Sequence, residues 1–170
     1  MGFTPLDGLV MATRSGSVDP GLLLWLLAQG ALSQDVLADA LEHESGLQGL
    51  AGSADMRAVI AGADAGEEPA LLALGVYLHR LRGAIAAMAA ALGGVDALAF
   101  TGGVGEHSSA VREGTVDGLG FLGLAIDASA SRQASGDAEI SAPNAPARTF
   151  VISAREDLEI ARQTRAVLAG

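Results

Sequence analysis

The residues best placed to do chemistry in this chain lie in a glycine-rich turn. Ala97-Leu98-Ala99-Phe100 runs into Thr101-Gly102-Gly103-Val104-Gly105-Glu106 and then His107-Ser108. An apolar strand, a glycine turn and a helix opening on serine can bring backbone close to a ligand, because glycine has no Cβ to hold it off. The N–H groups at a helix start then favour an anion such as a phosphate. The spacing is neither G-x-G-x-x-G nor a P-loop. A plain tight turn between a buried strand and a helix accounts for the same glycines, and on spacing alone it is the simpler account.

The elements that must position this turn read as helix-rich α/β. Asp19-Pro20 predicts a helix start, with Asp as the cap and Pro at the first helical position; the helix runs over 22–29 and stops at Gly30. Ser33 caps a second helix to about His43. Residues 44–53 read as a loop, 55–60 as a short helix and 62–66 as a turn. The longest helical pattern covers 67–92. Its Ala-rich second half predicts close packing against another helix or a sheet. A buried strand is expected at 95–100 and a helix at 108–118. A short strand is expected at 121–124 and a weak helix at 127–134. Further strands are expected at 139–141 and 149–153, with a closing helix at 155–168. The strands at 95–100 and 149–153 are expected side by side and parallel. So few strands for so many helices suggests part of a domain rather than a whole one.

Composition narrows the partners. The 170 residues carry twenty acids against ten bases, a formal charge of -10, and every base is arginine. That argues against a nucleic-acid surface, which must be cationic, and against docking on anionic membrane. It leaves room for a nucleotide, which needs only one or two placed arginines and Mg²⁺. With no cysteine, disulfides, thiolate zinc sites and cysteine nucleophiles are excluded, which suits a cytoplasmic protein. The opening residues have no basic n-region and read as no signal peptide. The apolar stretches 21–28 and 84–92 are shorter than a membrane span of about 20 residues and are expected to be buried helices.

Five ordered segments give these residues a context. Met1-Gly2-Phe3-Thr4-Pro5-Leu6-Asp7-Gly8-Leu9-Val10-Met11-Ala12-Thr13-Arg14-Ser15-Gly16 resembles a hallmark segment of the acetate kinase family, with Asp7 in place of a usual Glu and Ala12 in place of a usual Gly. Ser45-Gly46-Leu47-Gln48-Gly49-Leu50-Ala51-Gly52 and Ser53-Ala54-Asp55-Met56-Arg57 resemble the next two segments. Phe100 to Ser108 resembles its FTxGIGENS loop, and Glu156-Asp157-Leu158-Glu159-Ile160-Ala161-Arg162 its terminal helix. The family belongs to the sugar kinase–Hsp70–actin superfamily. The resemblance therefore implies an incomplete ribonuclease-H-like (actin-like ATPase) C-terminal lobe over residues 1–170, with the N-terminal lobe absent.

The resemblance also implies roles. The activity would be transfer of the ATP γ-phosphoryl group to acetate or another short-chain carboxylate, giving acetyl phosphate and ADP, with ATP and Mg²⁺ as cofactors. Arg14 would be the catalytic cation on the phosphoryl oxygens, since a guanidinium can hold phosphate two-pronged; an arginine in a loop is otherwise a solvated charge. Pro5 would line the acyl pocket, although a turn proline explains its type equally well. Asp55, Met56 and Arg57 would contact adenosine, and a capped helix start is an equal local account. Gly103, Val104 and His107 would lie on the adenosine side, with His107 replacing an Asn. Glu156 would associate with Mg²⁺, where a first-turn acid favoured by the helix dipole is the other account. Arg155, in place of a common Asn, sets a positive charge beside that site.

Other readings stand beside this one. The chain could be a non-catalytic fragment that binds nucleotide or a partner, including a separate N-terminal half. It could be a propionate kinase, which shares these motifs. Its Ala/Leu-rich face at 84–92 could mediate self-association, and the family's homodimers suggest a dimer.

Overall fold

The computed structural model describes residues 2–169; Met1, which opens the N-terminal motif, lies outside them. The chain falls into two units that part between Gly93 and Gly94. After an irregular loop, the first unit is helical: α1 Pro20–Ala28, α2 Gln34–Asp39 continuing into a π turn at Ala40–Glu44, α3 Gly46–Ala51, α4 Met56–Asp64 and α5 Glu68–Leu92. Short polar side chains start these helices by taking N–H groups that have no intrahelical acceptor. Asp19 accepts from Gly21, Ser33 from Val36 and Asp55 from Arg57. α3 and α4 pack on α5, burying Leu47, Met56, Val59, Ala70 and Ala73.

In the second unit the order is β1 Ala97–Phe100, α6 Gly102–His107, α7 Ser109–Asp117, a 3₁₀ turn at Gly120–Leu122, α8 Ala128–Gln133, β2 Ala138–Glu139, β3 Arg148–Val151 and α9 Glu156–Ala169. The sheet order is β1-β3-β2. β1 and β3 are parallel, as expected, with Ala97 opposite Arg148 and Phe100 opposite Val151. β2 runs antiparallel on the other side of β3. Phe100, Val111, Val116, Leu119, Ile140 and Val151 form the core.

The structure corrects several expectations. Residues 46–51 of the expected loop form α3, because its first free N–H groups find acceptors far away in sequence: Leu47 donates to Met11 O and Gln48 to Ala12 O, each at 2.9 Å. α4 extends to Asp64, so Gly62 is buried in a helix rather than in a turn. Residues 121–124 are no strand; Leu122 and Gly123 donate back to Leu119 and Gly120 and curl the segment, leaving Leu124 with a single bridge to Ala147. The glycine turn at 102–107 is itself the short helix α6. Three apolar segments expected to be buried are not. No residue of α1 is buried, and its Leu24 and Trp25 are 67% and 57% exposed. In the second half of α5 only Ala89 is buried, and in β1 only Phe100. The reason is the same for each: among the described residues, nothing within its own unit covers that face.

α5 also revises the membrane estimate. It has 25 residues and a stretch with mean hydropathy 1.2, which by length and composition suffices to cross a bilayer. Arg80 and Arg82 sit in its middle, Arg80 donating to Ser17 O at 3.0 Å, and α3 and α4 pack along it. The first half of α5 thus packs within its unit through Ala70 and Ala73, while most of the helix surface stays exposed.

Candidate functional site

In the first unit the Arg14 loop is built before Arg14 has anything to hold. Met11 N donates to Arg14 O at 3.1 Å, closing the loop on itself. The π turn then supplies carbonyls that a continuing helix would have used. Ser15 N donates to Leu41 O at 3.2 Å and Thr13 Oγ1 to Glu42 O at 2.9 Å. From the other side α3 presses its first residue against the loop. Gly46 has φ +64, and a Cβ there would meet Met11 O and lie 2.7 Å from Arg14 O, so only glycine fits. The backbone of residues 11–15 is thus pinned by two helical elements. The Arg14 side chain is half-buried, and among the described residues its guanidinium has no hydrogen bond or ion pair. Arg165 is also unpaired, but it stands exposed on α9. Arg14 is thus a half-buried cation on a loop whose backbone is hydrogen-bonded to the π turn and to α3.

Pro5 lies half-buried in the same N-terminal loop. That loop is closed by Ser17, whose Oγ donates to Asp7 Oδ1 at 2.6 Å and accepts from Gly8 N at 2.8 Å. Asp55 caps α4 and grips Arg57 through both carboxylate oxygens, with Nε at 3.1 and 3.2 Å and Nη2 at 2.7 Å. That side-chain fork holds the Asp55 carboxyl below its usual range. It also fixes the Arg57 guanidinium as a flat plate on a side chain 91% exposed, so its face is open for stacking. Met56, between them, is buried in the core. Its side chain therefore serves packing, and only its backbone is open to a contact role.

In the second unit Glu106 organises the glycine loop. Its Oε1 accepts from Ala154 N at 2.8 Å and from Gly102 N at 2.9 Å. The Ala154 N–H is the larger influence holding this carboxyl below its usual range, with Gly102 adding to it against desolvation. Glu106 thereby ties the start of α6, where Gly102 has φ +74, to the turn just before Glu156. Gly103 and Val104 lie on the first turn of α6, and His107 closes it. His107 Nδ1 sits 3.0 Å from Gly103 O. A carbonyl can only accept, so Nδ1 carries the proton; in the neutral tautomer with that proton, Nε2 is the acceptor.

Behind the loop lies Arg112, 2% exposed on α7. Its Nη1 donates to Gly105 O and Glu106 O, both at 2.8 Å. Its Nε donates to Ser131 Oγ at 3.3 Å and its Nη2 to Ser131 O. One buried guanidinium thus holds the last carbonyls of α6 against α8. Glu156 is the exposed first residue of α9. The adjacent charge of Arg155 is already taken up: Arg155 Nη2 pairs with Asp137 Oδ2 at 2.7 Å, and Asp137 Oδ1 accepts from Ser153 N at 2.9 Å. Among the described residues there is no group of three or more metal-ligating side chains. A lone carboxylate fits a Mg²⁺ that arrives on phosphates with its water shell, and does not fit a cation held by protein alone.

The pinned Arg14 loop and the glycine helix α6 lie within a longer match. Residues 1–162 match the acetokinase family. The chain belongs to that family. The acetate kinase of Gloeobacter violaceus is 49% identical over 164 residues, which are 96% of this chain and 40% of that protein. Among solved structures, Porphyromonas gingivalis acetate kinase has a TM-score of 0.90 at 36% identity, over 99% of this chain and 43% of that one. A propionate kinase from Francisella tularensis has a TM-score of 0.87 at 36% identity, over 94% and 41%. The chain spans about two fifths of the length of these relatives. The partial, helix-rich α/β lobe expected from the motifs is the acetokinase fold over this length.

Within that acetokinase frame, the candidate residues divide between the units. Pro5, Arg14, Asp55, Met56 and Arg57 fall in the first, and Gly103, Val104, His107 and Glu156 in the second. Sequence reasoning missed the residues that position them. Glu106 stood inside the quoted loop and could have been noticed as an acid aimed at free N–H groups at a helix start. Arg112 and Asp137 carried no local signal: Arg112 reaches carbonyls six and seven residues back and Ser131 nineteen residues on, and Asp137 reaches Ser153 and Arg155 sixteen and eighteen residues on.

Proposed function

We propose that this chain is the C-terminal portion of an acetate kinase-like phosphotransferase, acting in transfer of the γ-phosphoryl group of ATP to a short-chain carboxylate. The observation that carries the proposal is the half-buried, unpartnered Arg14 guanidinium on a backbone fixed by α3 and the π turn. Phosphoryl transfer asks little covalent chemistry of a protein; it asks for alignment and for fixed positive charge at the equatorial oxygens. Arg14 supplies a charge that does not have to reorganise. Pro5 lies on the acyl side. The Asp55–Arg57 fork offers a flat cation for the base, with the Met56 backbone beside it; in the second unit Gly103, Val104 and His107 are the proposed adenosine-side residues. Glu156 would associate with the Mg²⁺ that accompanies the nucleotide, and that ion would neutralise phosphate charge. Asp137 keeps Arg155 from opposing that role.

The fold match to a propionate kinase supports a substrate class, short-chain carboxylates, rather than acetate alone. Because the chain spans about two fifths of its relatives' length, acetyl phosphate formation by the 170 residues on their own is expected to be far below that of a full-length relative. Comparable turnover would overturn this reading in favour of a self-sufficient enzyme. The decisive test places Arg14→Ala in a chain joined to the remaining family length. Turnover is expected to fall by about 10²-fold or more, the scale of losing a transition-state donor, while calorimetry finds ATP affinity within about threefold. Unchanged turnover removes Arg14 from the mechanism.

A further inference from the structure

We infer that Asp137 is a positioning residue for the metal of the nucleotide: by binding the Arg155 guanidinium, it leaves the Glu156 carboxylate uncompensated at the start of α9, so that nucleotide binding there depends on Mg²⁺. The inference rests on the proposed role of Glu156 and adds the residue that protects that role.

The three residues before Glu156 are each held from outside α9. Ser153 N donates to Asp137 Oδ1 at 2.9 Å, Ala154 N to Glu106 Oε1 at 2.8 Å and Arg155 Nη2 to Asp137 Oδ2 at 2.7 Å. Asp137, in the turn before β2, therefore spends one carboxylate oxygen on the backbone and the other on the guanidinium. The acids that act on that guanidinium are Asp137 first, then Asp157 and Glu106. Within the first turn of α9, Glu159 is occupied by Arg162 and Gln163. Among the described residues the Glu156 carboxylate has no hydrogen bond or ion pair.

Stability does not account for the pair. The Arg155 and Asp137 side chains are 53% and 44% exposed, and ion pairs in that setting add little to folding. What the pair changes is where a positive charge sits. Without Asp137, Arg155 carries a long flexible cation one residue from Glu156. That cation can pair with the Glu156 carboxylate, or it can take a phosphate two-pronged. The first outcome occupies the metal's carboxylate, and the second neutralises the metal's phosphate. Both compete with a divalent ion that keeps most of its waters and takes few protein ligands, and for such an ion one neighbouring charge matters. With Asp137 in place the pair is neutral and Glu156 keeps its own charge.

The test is a binding measurement on the 170-residue chain. ADP is titrated by calorimetry in excess Mg²⁺ and in EDTA, and the ratio of the two dissociation constants is the metal effect. Asp137→Asn keeps an acceptor for Ser153 N but loses the charge. It is expected to lower the metal effect by about threefold to tenfold at low ionic strength, and by less in high salt. The Ser153 amide should stay protected from hydrogen exchange, which separates loss of charge from loss of structure. Adding Arg155→Gln removes the freed cation and should return the metal effect to within about twofold of the parent, the coupling that a double-mutant cycle reads. Arg155→Gln alone should not lower it. An unchanged metal effect in Asp137→Asn, no recovery in the double variant, or a fall in Arg155→Gln alone each overturns the inference and leaves the proposed function standing. A parent chain that binds no ADP, or binds it equally with and without Mg²⁺, counts against the proposed function, and the inference falls with it.

Discussion

Replacing Arg112 with Ala tests whether the glycine loop is held from behind. The side chain is 2% exposed and makes four donations: to Gly105 O, Glu106 O, Ser131 Oγ and Ser131 O. The first two acceptors lie on partly exposed residues and can turn to water. Ser131 has no exposed surface, so truncation leaves its carbonyl and hydroxyl unsatisfied. Each such group costs about 1–3 kcal/mol, or about 2–6 kcal/mol for the two. Relief from burying a charge offsets part of that, leaving a net loss of about 3 kcal/mol. For a chain of this length that is a fall of about 6–12 °C in Tm. Urea unfolding followed at β3 amides reads the second unit, and exchange at α6 amides reads the loop directly. Arg112→Lys keeps the charge and the stem but not the planar fork, and is expected to recover less than half the loss. A loss below about 0.5 kcal/mol for Arg112→Ala, the size of an ordinary surface change, or full rescue by lysine, would refute the assignment.

Two further outcomes follow from the same geometry. Glu106 and Asp137 have folded-state pKa values lowered, chiefly by the Ala154 N–H and by Arg155 respectively. The unfolded chain then binds their protons more tightly. Their contribution is complete above the ordinary carboxylate range near about pH 4 and disappears as pH falls through the lowered values. Tm should drop from pH 5 to pH 3, and Glu106→Gln should flatten that drop in the second unit; an identical pH profile for the variant would contradict the role. Gly46→Ala should destabilise the first unit by at least about 2 kcal/mol, because φ is positive and the new Cβ meets loop backbone; chemical denaturation within about 0.5 kcal/mol of the parent would show that the Arg14 loop is not pinned there.

Local signals carried the helix starts. Asp19, Ser33, Asp55, Ser108 and Asp127 each accept from a backbone N–H of the helix they precede, because capping depends on residues two or three apart. The parallel β1–β3 pair was legible for a similar reason, since a strand, a helix and a strand admit few arrangements. Arg14, Asp55, Arg57 and His107 were legible as residues but not as geometry. Arg57 is clasped by an acid two residues away, the cap of its own helix, whereas Arg14 has only Ala12 and Gly16 at that spacing. α3 was lost for the complementary reason: the acceptors for its first N–H groups are Met11 and Ala12, and a glycine-rich stretch without those partners is a loop.

The unburied α1, second half of α5 and β1 share one cause. Hydrophobic composition states that a surface is to be removed from water; it does not state which polypeptide removes it. Reading 21–28, 84–92 and 95–100 as buried assumed that the cover lies in the same unit. Leu24 at 67%, Met88 at 61% and Leu92 at 81% exposed show that it does not. Exposed singly, such residues need no explanation. An entire helix without a buried residue, together with an end strand that carries no charge and no proline, is different. A globular chain whose own core were sufficient would have no reason to keep Leu22, Leu24, Trp25 and Leu27 on one nine-residue helix. The excess of apolar surface stands beside the two-fifths span of the relatives, and under the proposed function the polypeptide that the relatives have beyond this chain would cover it.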